Sequence, residues 1–252
     1  MRLRTGIICL CCWAVPLMAC AGEQLNTALL RAGDSNSDPL GLRLVRICRE
    51  RFVQPLAQQI RHELQRHYSA EQLERLLASG DAETRRAAAL AIGVIGNANC
   101  ATAVATALHD PDPGVCRQAE TASWQIWARL GSSEDQLRLL KIKDAIRAEE
   151  LQDAVTQVSL LIQTSPDYAE AWNQRALAYY QMNRYRDAIP DCRRALELNP
   201  YHFGASSGLA QCHLRLNELP EAMDALQLTA KLHPSMPGLQ EQISVLEGRM
   251  KK

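Results

Sequence analysis

The chain has 252 residues, 28 basic and 28 acidic side chains that balance to a formal net charge of zero, and only 5% aromatic residues. Evenly dispersed, balanced charge argues against nucleic acid or an anionic membrane surface as a partner. No stretch alternates β-branched and polar residues over strand lengths, and Ala and Leu dominate the apolar share, so an all-α fold of one or two domains is expected.

At the N-terminus two arginines in MRLR precede the apolar run TGIICLCCWAVPLMA, residues 5–19. The run is short for a membrane-crossing helix and has the length of the apolar region of an export signal. Ala19 and Ala21 satisfy the small-x-small cleavage rule, which predicts a signal peptide over 1–21. LMAC, residues 17–20, also resembles the bacterial lipoprotein box; on that alternative Cys20 is lipidated and tethers the chain to a membrane. Met18 is an unusual occupant of such a box. An uncleaved anchor is the third alternative, and either cleaved route takes the mature chain to the periplasm or cell envelope. Residues 22–40, containing AGDSNSDPLG, read as a flexible lead.

Export shapes the reading of the cysteines. Of nine, Cys48, Cys100, Cys116, Cys192 and Cys212 remain well inside the mature chain. Their wide spacing, without a C-x-x-C pair, argues against zinc, and they read as small buried apolar residues. HELQRH, residues 62–67, misses the zinc-protease pattern. Its two histidines stand five apart where four are needed to share a helix face.

From residue 41 to 133 a 31-residue step aligns 76–92 with 107–123, pairing Asp81 with Asp112, Ala88 with Ala119 and Ala91 with Ala122. The aspartates predict helix caps and the alanines close helix packing. GDAETRRAAALAIGVIG resembles the second helix of a HEAT-like repeat, and the second copy departs from it with Trp124 where the first has Gly93. Residues 41–68 are expected to add a further helix pair or a cap. The junction WARLGSSEDQ is short, so Trp124 and Trp127 are expected to pack across it and make one rigid body.

A second period, of 34 residues, links Pro166, Pro200 and Pro234, and also Ala154, Ala188 and Ala222. It divides the chain into units 135–168, 169–202 and 203–236, each predicted to hold two helices. In the middle unit Trp172, Ala176, Tyr179, Tyr185, Ala188, Ala195 and Pro200 resemble the tetratricopeptide repeat. The first unit departs from that pattern at Arg138, Lys141 and Ile142, and the third at Ser206 and His213. Pro190 is expected in a helix's first turn, where a missing N–H costs nothing. Residues 237–252, with Leu239, Ile243 and Leu246 on one side, read as a capping helix. The fold expected is an all-α, right-handed α-solenoid: HEAT-like pairs, three tetratricopeptide units and a cap.

The resemblance implies a protein or peptide partner bound on the inner curve, formed by the first helix of each unit. The matching residues here are Lys143, Arg147, Asn173, Gln174, Leu177, Tyr180, Gln181, Gln211 and Arg215. The carboxylate clamp of some such arrays is not formed, because Leu139, Gln174, Gly204 and Gly208 occupy its places. The middle and third units, with NPYHFGASSGL, resemble exported tetratricopeptide proteins of Gram-negative bacteria, a likeness that covers the C-terminal half only. No G-x-S-x-G, phosphate-binding glycine loop or Cys/His signature is present, so a non-enzymatic scaffold or adaptor without a cofactor is expected. The contrasting reading is an accessory or lyase-like factor for a small molecule, since HEAT-like units also occur in lyases that attach bilin pigments. Cys192 and Cys212 lie about equally far from the turn near residue 202, which makes them a candidate disulfide in an oxidising compartment.

Overall fold

The computed structural model describes residues 39–51 and 57–251. The predicted signal peptide, Cys20 and all but the end of the predicted lead lie outside the described residues. Pro39 and Leu40 belong not to a loose lead but to a helix, α1 (Pro39–Arg51). Proline at a first helical position loses no intrahelical hydrogen bond, and its ring pre-sets the helical φ.

Five helices follow before the tetratricopeptide-like segment: α2 (Ala57–His67), α3 (Ala70–Ser79), α4 (Ala82–Ile95), α5 (Ala101–Ala107) and α6 (Pro113–Ala128). Their starts are set by local chemistry. Ser69 and Gln72 form a reciprocal capping box on α3. Asp81 accepts from the Thr84 N–H at 2.7 Å to start α4, and Asp112 accepts from Gly114 and Val115 at 2.8 and 2.9 Å to start α6. The two aspartates aligned at a 31-residue step thus do the same work. Helix α3 pairs with α4 and α5 with α6, while α4 packs along both α6 and α1. The two halves are tied by Arg85, bidentate on Asp110 at 2.7 and 2.8 Å, and by Arg86, forked onto Asp112.

Three hairpins then stack: α7 (Ser133–Arg147) with α8 (Leu151–Thr164), α9 (Ala169–Gln181) with α10 (Tyr185–Leu198), and α11 (Phe203–Arg215) with α12 (Leu219–Leu232). The 34-residue period reappears in the backbone. Glu149, Asn183 and Asn217, 34 apart, all turn left-handed with φ of 61°, 59° and 58°. Each closes its inner helix with the same bonds, such as Arg184 N–H to Tyr179 O at 2.8 Å and Asn183 N–H to Tyr180 O at 2.9 Å. The aligned alanines Ala154, Ala188 and Ala222 are all fully buried, as helices in closest approach require.

Pro190 sits deeper than the sequence suggests. It is the sixth residue of α10, so the Arg186 carbonyl loses an intrahelical partner. Both residues are exposed, which leaves that carbonyl's side of the helix to water.

A last helix, α13 (Leu239–Met250), packs on α12 through Leu239 and Leu246. These stand 34 residues after Ala205 and Cys212, so α13 occupies the place of the first helix of a fourth unit. At the other end α7 begins the 34-residue series. Leu137 and Leu140 are 64% and 50% exposed, whereas their counterparts Ala171 and Gln174, and Ala205 and Gly208, are buried.

One apolar core runs from Leu44 through Trp124 and Trp127 to Phe203, Leu226 and Leu246. The N-terminal helices therefore share a core with the third hairpin, while a second core joins the first two hairpins and a small third one joins the second to the third. The tryptophans do pack across the junction. Tyr168 closes the same seam by donating to the Ala128 carbonyl at 2.6 Å.

Candidate polypeptide-binding surface

The candidate residues separate into two groups along the inner helices α7, α9 and α11. Towards the N-terminal ends the face is sealed. Trp127 of α6 stacks on His202 with ring centroids 4.3 Å apart, and Trp124 meets Phe203 edge-on at 5.2 Å. Gly204 is needed there: a Cβ at that position would lie 2.3 Å from Trp124 Cη2. Further along α6, Glu120 approaches the buried His233 at 3.4 Å.

Beneath this cover lies a buried polar cluster centred on Glu170, the second residue of α9. Lys143 Nζ reaches it at 2.7 Å, Gln174 donates at 2.9 Å and His202 Nε2 lies 3.1 Å away. His202 Nδ1 accepts the Ala205 N–H at 3.1 Å. With Nδ1 accepting, Nε2 is the nitrogen that donates to Glu170, and Lys143 supplies a positive charge beside the carboxylate. Burial alone would raise the Glu170 carboxyl. The Lys143 charge and the His202 hydrogen bond outweigh it and hold the group at about 2.

This geometry corrects part of the expected binding face. Asn173, Gln174 and Leu177 are buried: Gln174 is bonded to Glu170, Asn173 packs beside it with Oδ1 unpartnered, and Leu177 belongs to the core of the first two hairpins. They hold the array together and offer a partner no surface. Lys143 keeps only a fifth of its side chain exposed and is engaged by Glu170. Sequence reasoning passed over Glu170 and His202, which stand 32 residues apart near the two ends of the middle unit and share no place in the 34-residue register. The missing information was that α6 folds back onto them.

At the C-terminal ends of the same helices the face is open. Arg215 Nε donates to the Tyr180 hydroxyl at 3.2 Å, and its guanidinium lies 5.8 Å from the centre of that ring. The bond joins neighbouring hairpins and raises the Arg215 pKa above its ordinary value. Tyr180 also leans on Tyr185, 5.4 Å away between centroids. Gln181 is half-buried beside them. Arg147 is exposed at the matching place on α7 and pairs with Asp144, while Gln211 bonds Gln242 of α13 at 2.8 Å.

Cys192 and Cys212 are brought together, fully buried in a small core with Ala176 and Ala188. Both are free thiols here. A hydrogen bond with Cys212, together with burial, pushes the Cys192 thiol well above the ordinary thiol range. Of the near-miss zinc motif, His67 is bonded by Arg43 at 2.9 Å. Among the described residues no group of His, Cys, Asp and Glu is arranged to hold a metal, and no helix is long and apolar enough to cross a membrane.

Residues 169–202, the hairpin of α9 and α10, match the family model of the tetratricopeptide repeat. The chain carries a tetratricopeptide repeat. It is 29% identical over 124 residues to a TPR repeat-containing protein of Rhizobium etli, a match covering 49% of this chain and 61% of that protein. It is also 31% identical over 86 residues to WD and tetratricopeptide repeats protein 1 of Mus musculus, covering 33% of this chain and 13% of the other. The chain thus spans about three fifths of the bacterial relative and a small part of the mouse one. Among solved structures it is similar to the first TPR of Spaghetti (RPAP3) bound to an HSP90 peptide, at 18% identity and a TM-score of 0.47, covering 48% of this chain and 97% of that one.

Proposed function

We propose that this chain is a non-enzymatic protein-binding scaffold, exported to the periplasm or cell envelope, that holds a polypeptide partner on the C-terminal ends of its inner helices. The export reading rests on the arginine-flanked apolar run at residues 5–19. The binding reading rests on one observation above all, the exposed pairing of Tyr180 with Arg215 across two hairpins. Aromatic and arginine side chains are the types that most often dominate binding energy in protein interfaces. Here they are pre-oriented on a rigid frame, while the other half of the inner face is closed by the chain's own α6. Arg147 and Gln181 extend the same strip along the array. The test is capture of a polypeptide from a native envelope extract by the wild-type chain, and its loss when Tyr180→Ala is combined with Arg215→Glu.

A further inference from the structure

The position of Arg215 within its unit recurs. Steps of 34 residues from Arg147 reach Gln181, Arg215 and Arg249, the last of these on α13. Arg249 continues the strip beyond the three hairpins, and two sets of contacts lie along it. Tyr185 leans on Tyr180, Tyr180 accepts from Arg215, and Arg215 stands two residues before Asn217. Arg249 Nη2 then donates to Asn217 Oδ1 at 2.8 Å.

The partners of these two arginines are neutral. Arg85, Arg86, Arg138, Arg175 and Arg184 each meet a carboxylate. Among the described residues Arg215 and Arg249 form no ion pair. Glu218, the acid nearest Arg215 in sequence, is already held by His213 Nδ1 at 2.7 Å and by Arg186 at 3.7 Å. A guanidinium carries five N–H donors in a planar fork. Arg215 uses Nε on Tyr180 and Arg249 uses Nη2 on Asn217, so each is oriented by one edge and keeps donors for an incoming oxygen pair. Exposed charge left without a counter-charge, beside an aromatic pair, suits a partner that brings carboxylates and an apolar side chain.

Resting on the polypeptide-binding reading above, we propose that this strip takes an acidic polypeptide segment. Its carboxylates dock on Arg215 and Arg249, and a neighbouring apolar side chain lies against Tyr180 and Tyr185.

The experiment uses the full mature chain and fluorescence anisotropy with two labelled peptides, one rich in Glu with spaced leucines and one with every Glu replaced by Gln. Wild type should bind the Glu peptide about tenfold or more tightly than the Gln peptide, a preference that shrinks as salt rises. The paired change Arg215→Gln with Arg249→Gln should erase it, while Arg193→Gln, an exposed arginine on α10, should leave it intact. Matching thermal melts verify that the variants are folded. Equal affinity for the two peptides, or a preference that survives the paired change, overturns the acidic partner and leaves polypeptide capture standing. Failure of wild type to bind the Glu peptide at all also overturns it. Capture from the envelope extract is a separate measurement, so the two readings fail independently.

Discussion

Trp127 lies nearly parallel to His202, 4.3 Å between ring centroids and 23° between planes, and His202 in turn hydrogen-bonds the buried carboxylate of Glu170. One aromatic stack thus joins the N-terminal helices to the polar centre of the repeat array. Truncation by Trp127→Ala removes the stack and leaves a void, at a cost of about 3–5 kcal/mol. Chemical denaturation followed by circular dichroism should show a single transition for wild type, moved to lower denaturant in the variant. Two separate transitions in wild type would contradict a shared core.

Gly204→Ala tests the same seam from the other side. The added Cβ would stand 2.3 Å from Trp124 Cη2, so either the ring or α11 must shift, costing about 1–3 kcal/mol. Trp124→Leu in the same chain should recover part of the loss, measured as a coupling in a double-mutant cycle. Additive losses would mean the two do not touch.

How much of this was legible in the sequence follows from which interactions are local. Asp81, Asp112 and Pro200 act through the backbone within a few residues, and the columns of Ala154, Ala188 and Ala222 recur because each hairpin meets the next in the same way. Helix ends, stacking order and the buried column were therefore readable. The return of α6 onto α11 was not, because packing between distant segments leaves no periodic mark. Trp124 and Trp127 hinted at a junction contact without naming its other half, His202 and Phe203. That is why Asn173, Gln174 and Leu177 read as surface and prove to be interior, whereas Tyr180 and Arg215, past the edge of the cover, are where the period puts them. Pro190 reads as a first-turn residue because α10 begins at Tyr185, earlier than its apolar pattern suggests.

Glu149 holds a left-handed conformation, φ 61°, where the two later units use Asn183 and Asn217. Side chains other than Gly and Asn adopt that region at a cost of roughly 1–2 kcal/mol. Glu149→Asn should therefore stabilise the protein by about 0.5–1 kcal/mol and raise the melting temperature by about 2 °C. An unchanged or lower midpoint would show that the turn carries no such strain.

The Glu170 carboxyl is held at about 2, below its ordinary 4.5. A depressed carboxyl contributes stability that is present above the unfolded value and lost as pH falls through the folded one. The stability difference between wild type and Glu170→Gln should accordingly stay constant from pH 7 to about 5 and shrink between about 5 and 2. Denaturation at a series of pH values measures it. A difference that does not change with pH would place the charge elsewhere.

The central claim is that the working surface is the Tyr180–Arg215 strip and not the sealed half of the array. Its most direct measurement is capture of polypeptide from a native envelope extract together with a thermal melt on the same samples. The samples are wild type, Tyr180→Ala with Arg215→Glu, and Ala188→Glu. Ala188 is fully buried between helices, so its change to Glu buries an unpaired charge and should cost on the order of 3–5 kcal/mol, lowering the melt. The surface pair should leave the melt within a few degrees of wild type while weakening capture tenfold or more, about 1.4 kcal/mol. Normal capture by the folded Tyr180→Ala, Arg215→Glu chain would contradict the account.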